Sequence, residues 1–214
     1  MNNHNNIIAE QYDIISESFD NTRVRIWKTV TNYLNNINEK EKLLDVGCGN
    51  GKNMLYAEKL GYKCKGIDIS KKLINICKEK KLNVEYSDIL NYKSDDKYNK
   101  IIAIAVLHHL ENIDKQKEAI LIMINNLEKN GTLLVSFWSK EKEYNIEEIK
   151  KNKKDYRDFK VGANYVSWKL NNETTIKRFY YIHDNESINN LVKSIGYKYE
   201  ITWELQNWFI KFYK

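Results

Sequence analysis

Apolar positions near the start of the chain recur at helical spacing. Between Ile7 and Tyr33, the residues Ile8, Tyr12, Ile15, Phe19, Ile26, Val30 and Tyr33 fall at three- and four-residue steps, which predicts two amphipathic helices joined near Asn21–Thr22. After a charged turn at Asn38–Lys42 the pattern changes. The apolar strand Leu43–Gly47 leads into a glycine-rich turn, a helix over Lys52–Leu60 and a second strand over Lys63–Asp68. The alternation continues with a helix at Lys71–Lys80, strands at Val84–Tyr86 and Ile101–Leu107, a helix at Lys115–Glu128 and a strand at Thr132–Trp138. Alternating α and β segments with continuous apolar strands predict a parallel sheet covered by helices on both faces.

The tract 140–177 breaks this rhythm. It is polar, dense in lysine between Lys150 and Lys160, and dotted with Tyr144, Tyr156, Tyr165 and Trp168, so it reads as an insertion on the substrate side. A last helix over Asn185–Ser194 stops at Gly196. The strands Tyr197–Trp203 and Trp208–Tyr213 then follow, linked closely enough by Glu204–Asn207 to make an antiparallel hairpin at one edge. All 214 residues read as a single domain, with 1–37 as a helical N-terminal extension.

Composition narrows the setting. Hydrophobic residues at 42 %, charged residues at 30 % and a mean hydropathy of -0.66 describe a soluble globular chain. The longest apolar run, Ile101–Leu107, is far short of the roughly 20 residues that span a bilayer. Met1–Asn6 lacks signal-peptide order, and Cys48, Cys64 and Cys77 are odd in number without close pairing, so a reducing, cytoplasmic location is expected. The net charge of +6 permits nucleic-acid contact without demonstrating it. His4 and His183 stand apart with no ligand spacing, so no metal site is expected.

The candidate chemistry begins at Gly47–Cys48–Gly49–Asn50–Gly51, set between a predicted strand and a predicted helix. Residues without a Cβ let the backbone turn tightly and bring its N–H groups close to a ligand. Asp45 stands just before this loop. Asp68, ending the second strand, lies 21 positions after Gly47, close to the offset of about 20 at which a carboxylate accepts hydrogen bonds from ribose hydroxyls. Asp88 follows the third strand. Each acid alone could be a helix cap. Together at successive carboxyl ends they mark the crevice where such sheets bind ligands, and a nucleoside-bearing cofactor is expected.

The stretch Leu44–Asp45–Val46–Gly47–Cys48–Gly49–Asn50–Gly51 resembles the first motif of the class I S-adenosylmethionine-dependent methyltransferases. That resemblance implies an α/β Rossmann-like fold with a mostly parallel seven-stranded sheet, an antiparallel C-terminal hairpin and helices on both faces. It also implies that Gly47–Gly51 holds the methionine part of S-adenosylmethionine and Asp68, next to Ile69, the ribose. Asp88 and Ile89 would meet the adenine, and Ala105, Val106 and Leu107 would line the cleft beneath the sulfonium.

The likeness narrows to the eukaryotic-type tRNA wobble-uridine methyltransferases that esterify a 5-carboxymethyl group. Tyr12–Asp13 with Phe19, Thr22, Arg23 and Trp27 is similar to that family's amino-terminal stretch, and Val106–Leu107–His108–His109–Leu110 to the segment after its fourth strand. Trp138 and Glu141, Val166–Ser167–Trp168, Arg178–Phe179–Tyr180 and Asn207–Trp208 resemble later segments of the family. Ser167 stands where the family has proline, Tyr181 where it has histidine, and Ile26 where proline usually precedes the tryptophan; these departures bear on substrate geometry. The resemblance implies tRNA as substrate and a small zinc-binding activator protein as partner.

Methyl transfer to a carboxylate is an in-line displacement, and a carboxylate with a pKa near 4 is already ionised at neutral pH, so it needs orientation more than a base. Arg23 and Arg178 are the candidates to grip a carboxylate or phosphate, with surface ion pairs as the alternative. His108 would be the base if the acceptor were a hydroxyl or amine; otherwise it shapes the cleft. Lys150, Lys151, Lys153, Lys154, Arg157 and Lys160, interleaved with Tyr156 and Phe159, could follow an RNA backbone or form a solvated face. Trp138, Tyr165 and Trp168 could wall the acceptor base or fill the core. Two rivals remain: a small-molecule or protein methyltransferase, and a non-catalytic binding subunit on the same fold.

Overall fold

The computed structural model describes residues 3–37, 41–140, 159–170 and 174–214. Helices α1 (Asn3–Thr22) and α2 (Lys28–Asn35) precede strand β1 (Lys42–Val46), α3 (Lys52–Lys59), β2 (Lys63–Asp68), α4 (Lys71–Glu79) and β3 (Val84–Tyr86). Strand β4 (Tyr98–Ala103), a 3-10 turn at Leu107–His109, α5 (Ile113–Asn125) and β5 (Leu127–Trp138) follow. After β6 (Gly162–Lys169) and β7 (Thr175–Ile182) come α6 (Asn185–Ile195), β8 (Lys198–Glu204) and β9 (Asn207–Tyr213). The main sheet has seven strands in the order β3-β2-β1-β4-β5-β9-β8. Its first five are parallel, and β9 joins β5 antiparallel, with β8 outside it, as the alternation and the C-terminal hairpin predict.

Consecutive strand residues point to opposite faces, and here both faces are apolar. Leu43, Ile102, Leu134 and Phe209 pack with Val30 and Leu34 of α2, Met54 of α3 and Ile74 of α4. Their neighbours Leu44, Ile101, Leu133 and Ile210 pack with Ile120 and Met123 of α5 and Leu191 of α6. Each such side chain, fully buried, contributes roughly 1.5–3 kcal/mol of transfer free energy. Continuous apolar strands are therefore required, and the sheet's ligand-facing edge is left to the loops at its carboxyl end.

Three expected boundaries move. The strand expected over 101–107 ends at Ala103, because Ala105 takes a left-handed φ of 59° and donates its amide to Ser136 Oγ at 2.8 Å. The expected helix 115–128 runs from 113 to 125, started by Asn112, whose side chain accepts from the Lys115 amide. Strand β5 begins at Leu127 rather than Thr132. The largest departure is in the insertion: β6 and β7 form a separate antiparallel two-stranded sheet that continues past 177 to Ile182. Val166, Tyr180 and Ile182 on its inner face pack against Trp138 and Phe159, seating this hairpin over the carboxyl end of the main sheet. The lysine-rich stretch 150–158 lies outside the described residues, as does Glu141.

Candidate active site

A cavity of about 340 Å³ opens at the carboxyl ends of β1, β2 and β4, roofed by α1 and walled on one side by the β6–β7 hairpin. Its floor is the glycine loop. The amides of Gly47 and Cys48 both donate to the Ile67 carbonyl, at 2.8 and 3.0 Å, which bends the chain sharply out of β1. Gly47 has φ +65°, and a Cβ there would stand 2.3 Å from Val106 Cγ2. Gly51 has φ +78°, and a Cβ there would stand 2.2 Å from Leu82 Cδ1. Left-handed backbone and absent space together demand glycine at both positions.

The acids stand where the spacing puts them. Asp68 Oδ2 accepts from the Gly49 amide at 2.9 Å and Oδ1 from the Ser70 amide at 2.8 Å, tying β2 to the loop. Burial pushes its carboxyl up to about 6, opposed by these amide bonds. Asp88 accepts from Leu90 N at 3.0 Å and from Asn5 Nδ2 of α1 at 2.8 Å. Asp45, expected at the cofactor, lies behind the loop instead: it is 1 % exposed and not part of the cavity lining, with Asn53 as a hydrogen-bonding neighbour. Burial, then the charge of Asp68, pushes Asp45 up to about 8, while nearby Lys52 works the other way.

Of the residues expected around a cofactor, Gly47, Cys48, Gly49, Asp68, Ile69, Asp88, Ile89, Ala105 and Val106 line the cavity. Leu107 does not: it is fully buried in the core, because the turn at 107–109 rotates it under the sheet. Gly51 caps α3, behind the lining surface. The set fits S-adenosylmethionine on this chain's own features: a loop whose glycines keep the backbone open to the cavity, and two acids, Asp68 and Asp88, lining it at successive strand ends.

The other half of the cavity is aromatic and basic. Trp138 stacks obliquely on Tyr180 with centroids 4.3 Å apart, and Trp168 completes the wall from β6. The guanidinium carbons of Arg23 and Arg178 lie 4.6 and 4.7 Å from the Trp168 ring, so the structure brings the two candidate arginines to one indole. Arg178 is 5 % exposed, and its Nε has no hydrogen-bond partner. No ion pair among the described residues involves Arg178.

His108 lines the cavity, stacked on Tyr180 with ring centroids 4.6 Å apart, and burial holds it well below the usual histidine range. A neutral imidazole so reluctant to take a proton is suited to shaping the cleft rather than to acting as base. Tyr165 is 70 % exposed and is not part of the wall, so it cannot hold the acceptor base there. Asn207 and Trp208 serve the fold: Asn207 bonds the Leu205 carbonyl at 2.8 Å in the β8–β9 turn, and Trp208 packs on the core.

Sequence patterns neither single out Asn5 nor tell His109 apart from His108. The hydrogen bonds that give Asn5 and His109 their roles, to Asp88 and to Tyr12, join residues 83 and 97 positions apart in the chain. Such long-range pairs leave no trace in local periodicity. Among the described residues no group of three or more His, Cys, Asp or Glu side chains could hold a metal ion, and no helix is long and apolar enough to cross a membrane.

The chain is similar to known proteins in sequence and in fold. A tRNA (carboxymethyluridine(34)-5-O)-methyltransferase of Arabidopsis thaliana is 35 % identical over 135 residues, covering 62 % of this chain and 32 % of that protein. Its counterpart in Xenopus tropicalis is 31 % identical over 183 residues, covering 84 % of this chain and 28 % of that protein. The chain thus spans about a third of the length of these relatives. A solved structure of DhpI with S-adenosylhomocysteine is 12 % identical and shares the fold, with a TM-score of 0.72 over 97 % of this chain and 95 % of that one. A family model described as a methyltransferase domain matches residues 19–200, and the chain belongs to that methyltransferase family.

Proposed function

We propose that the chain is an S-adenosylmethionine-dependent methyltransferase that esterifies the carboxylate of 5-carboxymethyluridine at the wobble position of tRNA. One observation carries the choice of acceptor: Arg178 is buried in the aromatic half of the cavity, and no ion pair among the described residues involves it. A desolvated cation is costly unless an anion meets it, and a planar guanidinium matches a carboxylate with two parallel bonds. The sequence relatives, named for methyl esterification of this nucleoside, support the same acceptor.

When bound, S-adenosylmethionine supplies an electrophilic methyl on a sulfonium. Gly47–Gly49 and Asp68, which line the cavity, would hold the donor's two ends and fix its orientation. Arg178 orients the acceptor carboxylate, which is already ionised, so no side chain has to remove a proton. Trp138 and Trp168 would offer faces for the uracil ring, backed by Tyr180, and keep competing water out. The lysine-rich stretch Lys150–Lys160 would serve the RNA backbone. A zinc-binding activator protein is part of the proposal, placed against an open edge of the sheet such as β3, where Tyr86 is 41 % exposed. The proposal also carries a cytoplasmic setting, in keeping with three cysteines that form no disulfide.

The test is incubation with labelled S-adenosylmethionine and tRNA lacking the methyl ester, with and without the activator, followed by nucleoside mass analysis. A gain of one methyl on the carboxymethyl nucleoside is expected. Label on another nucleoside, or on none, contradicts the assignment. Full activity of the isolated chain removes the partner from it.

A further inference from the structure

Arg178 does not hold its position unaided. Its Nη1 donates to the Tyr12 hydroxyl at 3.3 Å, and that hydroxyl lies 2.7 Å from His109 Nε2. On the far side of the imidazole, His109 Nδ1 lies 2.8 Å from the Phe179 carbonyl, which can only accept. The imidazole therefore carries its proton on Nδ1, and Nε2 is left as an acceptor. The Tyr12 O–H must donate to it, which turns the phenol's lone pairs toward the guanidinium. Direction is fixed along the whole chain of bonds, from the β7 backbone through His109 and Tyr12 to Arg178, one residue before Phe179 on the same strand.

From this geometry we infer that Tyr12 and His109 are positioning residues: they orient the Arg178 guanidinium for an acceptor carboxylate while leaving its positive charge uncompensated. An acid in Tyr12's place would hold the arginine as firmly but neutralise it; a neutral phenol orients it and keeps the charge for the ligand. Burial keeps the middle of the relay neutral as well, since it pushes His109 down to about 3. The rings are packed as well as bonded: Tyr12 and His109 meet edge-on at 5.2 Å, and Tyr12 meets Phe19 at 5.7 Å. Helix α1 thereby carries one element of acceptor selection, although its residues lie far from β7 in the sequence.

This inference rests on the proposed carboxylate acceptor, and the test separates the two. Binding to the full chain is measured for two synthetic anticodon stem-loops, one with 5-carboxymethyluridine and one with the neutral 5-carbamoylmethyluridine. The wild-type protein is expected to prefer the acid. Tyr12→Phe keeps the ring packing and loses the hydroxyl, so the acid-over-amide preference should fall about tenfold. Affinity for S-adenosylhomocysteine, measured by calorimetry, should change less than twofold.

His109→Asn, whose amide can still donate to the Phe179 carbonyl but is too short to reach the Tyr12 hydroxyl as well, should lower the preference in the same direction. In an Arg178→Met background, Tyr12→Phe should have little further effect, because the donor to the hydroxyl is already gone. A merely structural role for Tyr12 would weaken both stem-loops equally. Equal weakening, or an undiminished preference in Tyr12→Phe, overturns the relay and leaves the acceptor assignment standing. Absence of any acid preference in the wild type overturns the carboxylate acceptor and the relay with it.

Discussion

The two ends of the central sheet treat buried charge in opposite ways. At the amino end, Lys100 is 8 % exposed, and its ammonium donates to the Tyr62 hydroxyl at 2.8 Å and to the carbonyls of Tyr33 and Asn36, with the Glu41 carboxylate 3.5 Å away. At the carboxyl end, Arg178 is 5 % exposed and joins no ion pair among the described residues. Removing an ion from water costs several kcal/mol even after relaxation. The amino end offsets that cost with the protein's own groups. The carboxyl end leaves it to be offset from outside, so charge closed among protein atoms holds the fold while charge left open marks where ligands bind.

The sharpest way to break this contrast is at the open end. Arg178→Met should lower kcat/KM on carboxymethyluridine RNA by roughly a hundredfold to a thousandfold, the scale of about 3–4 kcal/mol for losing one side of a desolvated ion pair. Affinity for S-adenosylhomocysteine should be nearly unchanged. If steady-state kinetics show a change under threefold, Arg178 is not the acceptor's anchor.

The matching change at the closed end should act on stability instead. Lys100→Met removes the buried cation beside Glu41 and should cost about 3 kcal/mol in urea unfolding, with kcat/KM of the folded fraction preserved. Activity loss without stability loss would reverse the roles assigned to the two ends. Asp45→Asn is a smaller change with opposite effects on two observables. S-adenosylhomocysteine should bind about tenfold more weakly, while the free protein gains roughly 1–2 kcal/mol near pH 8 through loss of a desolvated buried carboxylate.

The gentlest probe is pH. Asp68 is held at about 6 and Asp45 at about 8, both above the 3.8 of an unperturbed carboxyl. The unfolded chain therefore gives up these protons first. The contribution of both groups to the stability of the free protein is fully present below 3.8 and is lost as pH rises through about 6 and then about 8. A cationic donor favours the ionised carboxylates, so the thermal shift it produces should grow between about pH 5 and about pH 8. A pH-independent shift would separate the acids from the cofactor.

Much of the carboxyl end is legible in the sequence because its signals are local. The glycine loop needs glycine for steric reasons that act within a few residues, and the acids at positions 68 and 88 follow from where strands must end. The β6–β7 hairpin is not legible as strands. The alternating burial along Gly162–Lys169 is set within a lysine-rich polar tract that offers no compact turn signal. The two adjacent histidines are also indistinguishable by sequence: a 3-10 turn sends His108 onto Tyr180 and His109 toward Tyr12, a division that only the packed structure makes.

The most direct test of the open end is a crystal structure with S-adenosylhomocysteine. The homocysteine is expected over Gly47–Gly49, the ribose hydroxyls on Asp68, the adenine beside Asp88 and Ile89, and the sulfur facing Arg178. Product bound elsewhere, or bound there with its sulfur turned away from Arg178, would contradict this placement.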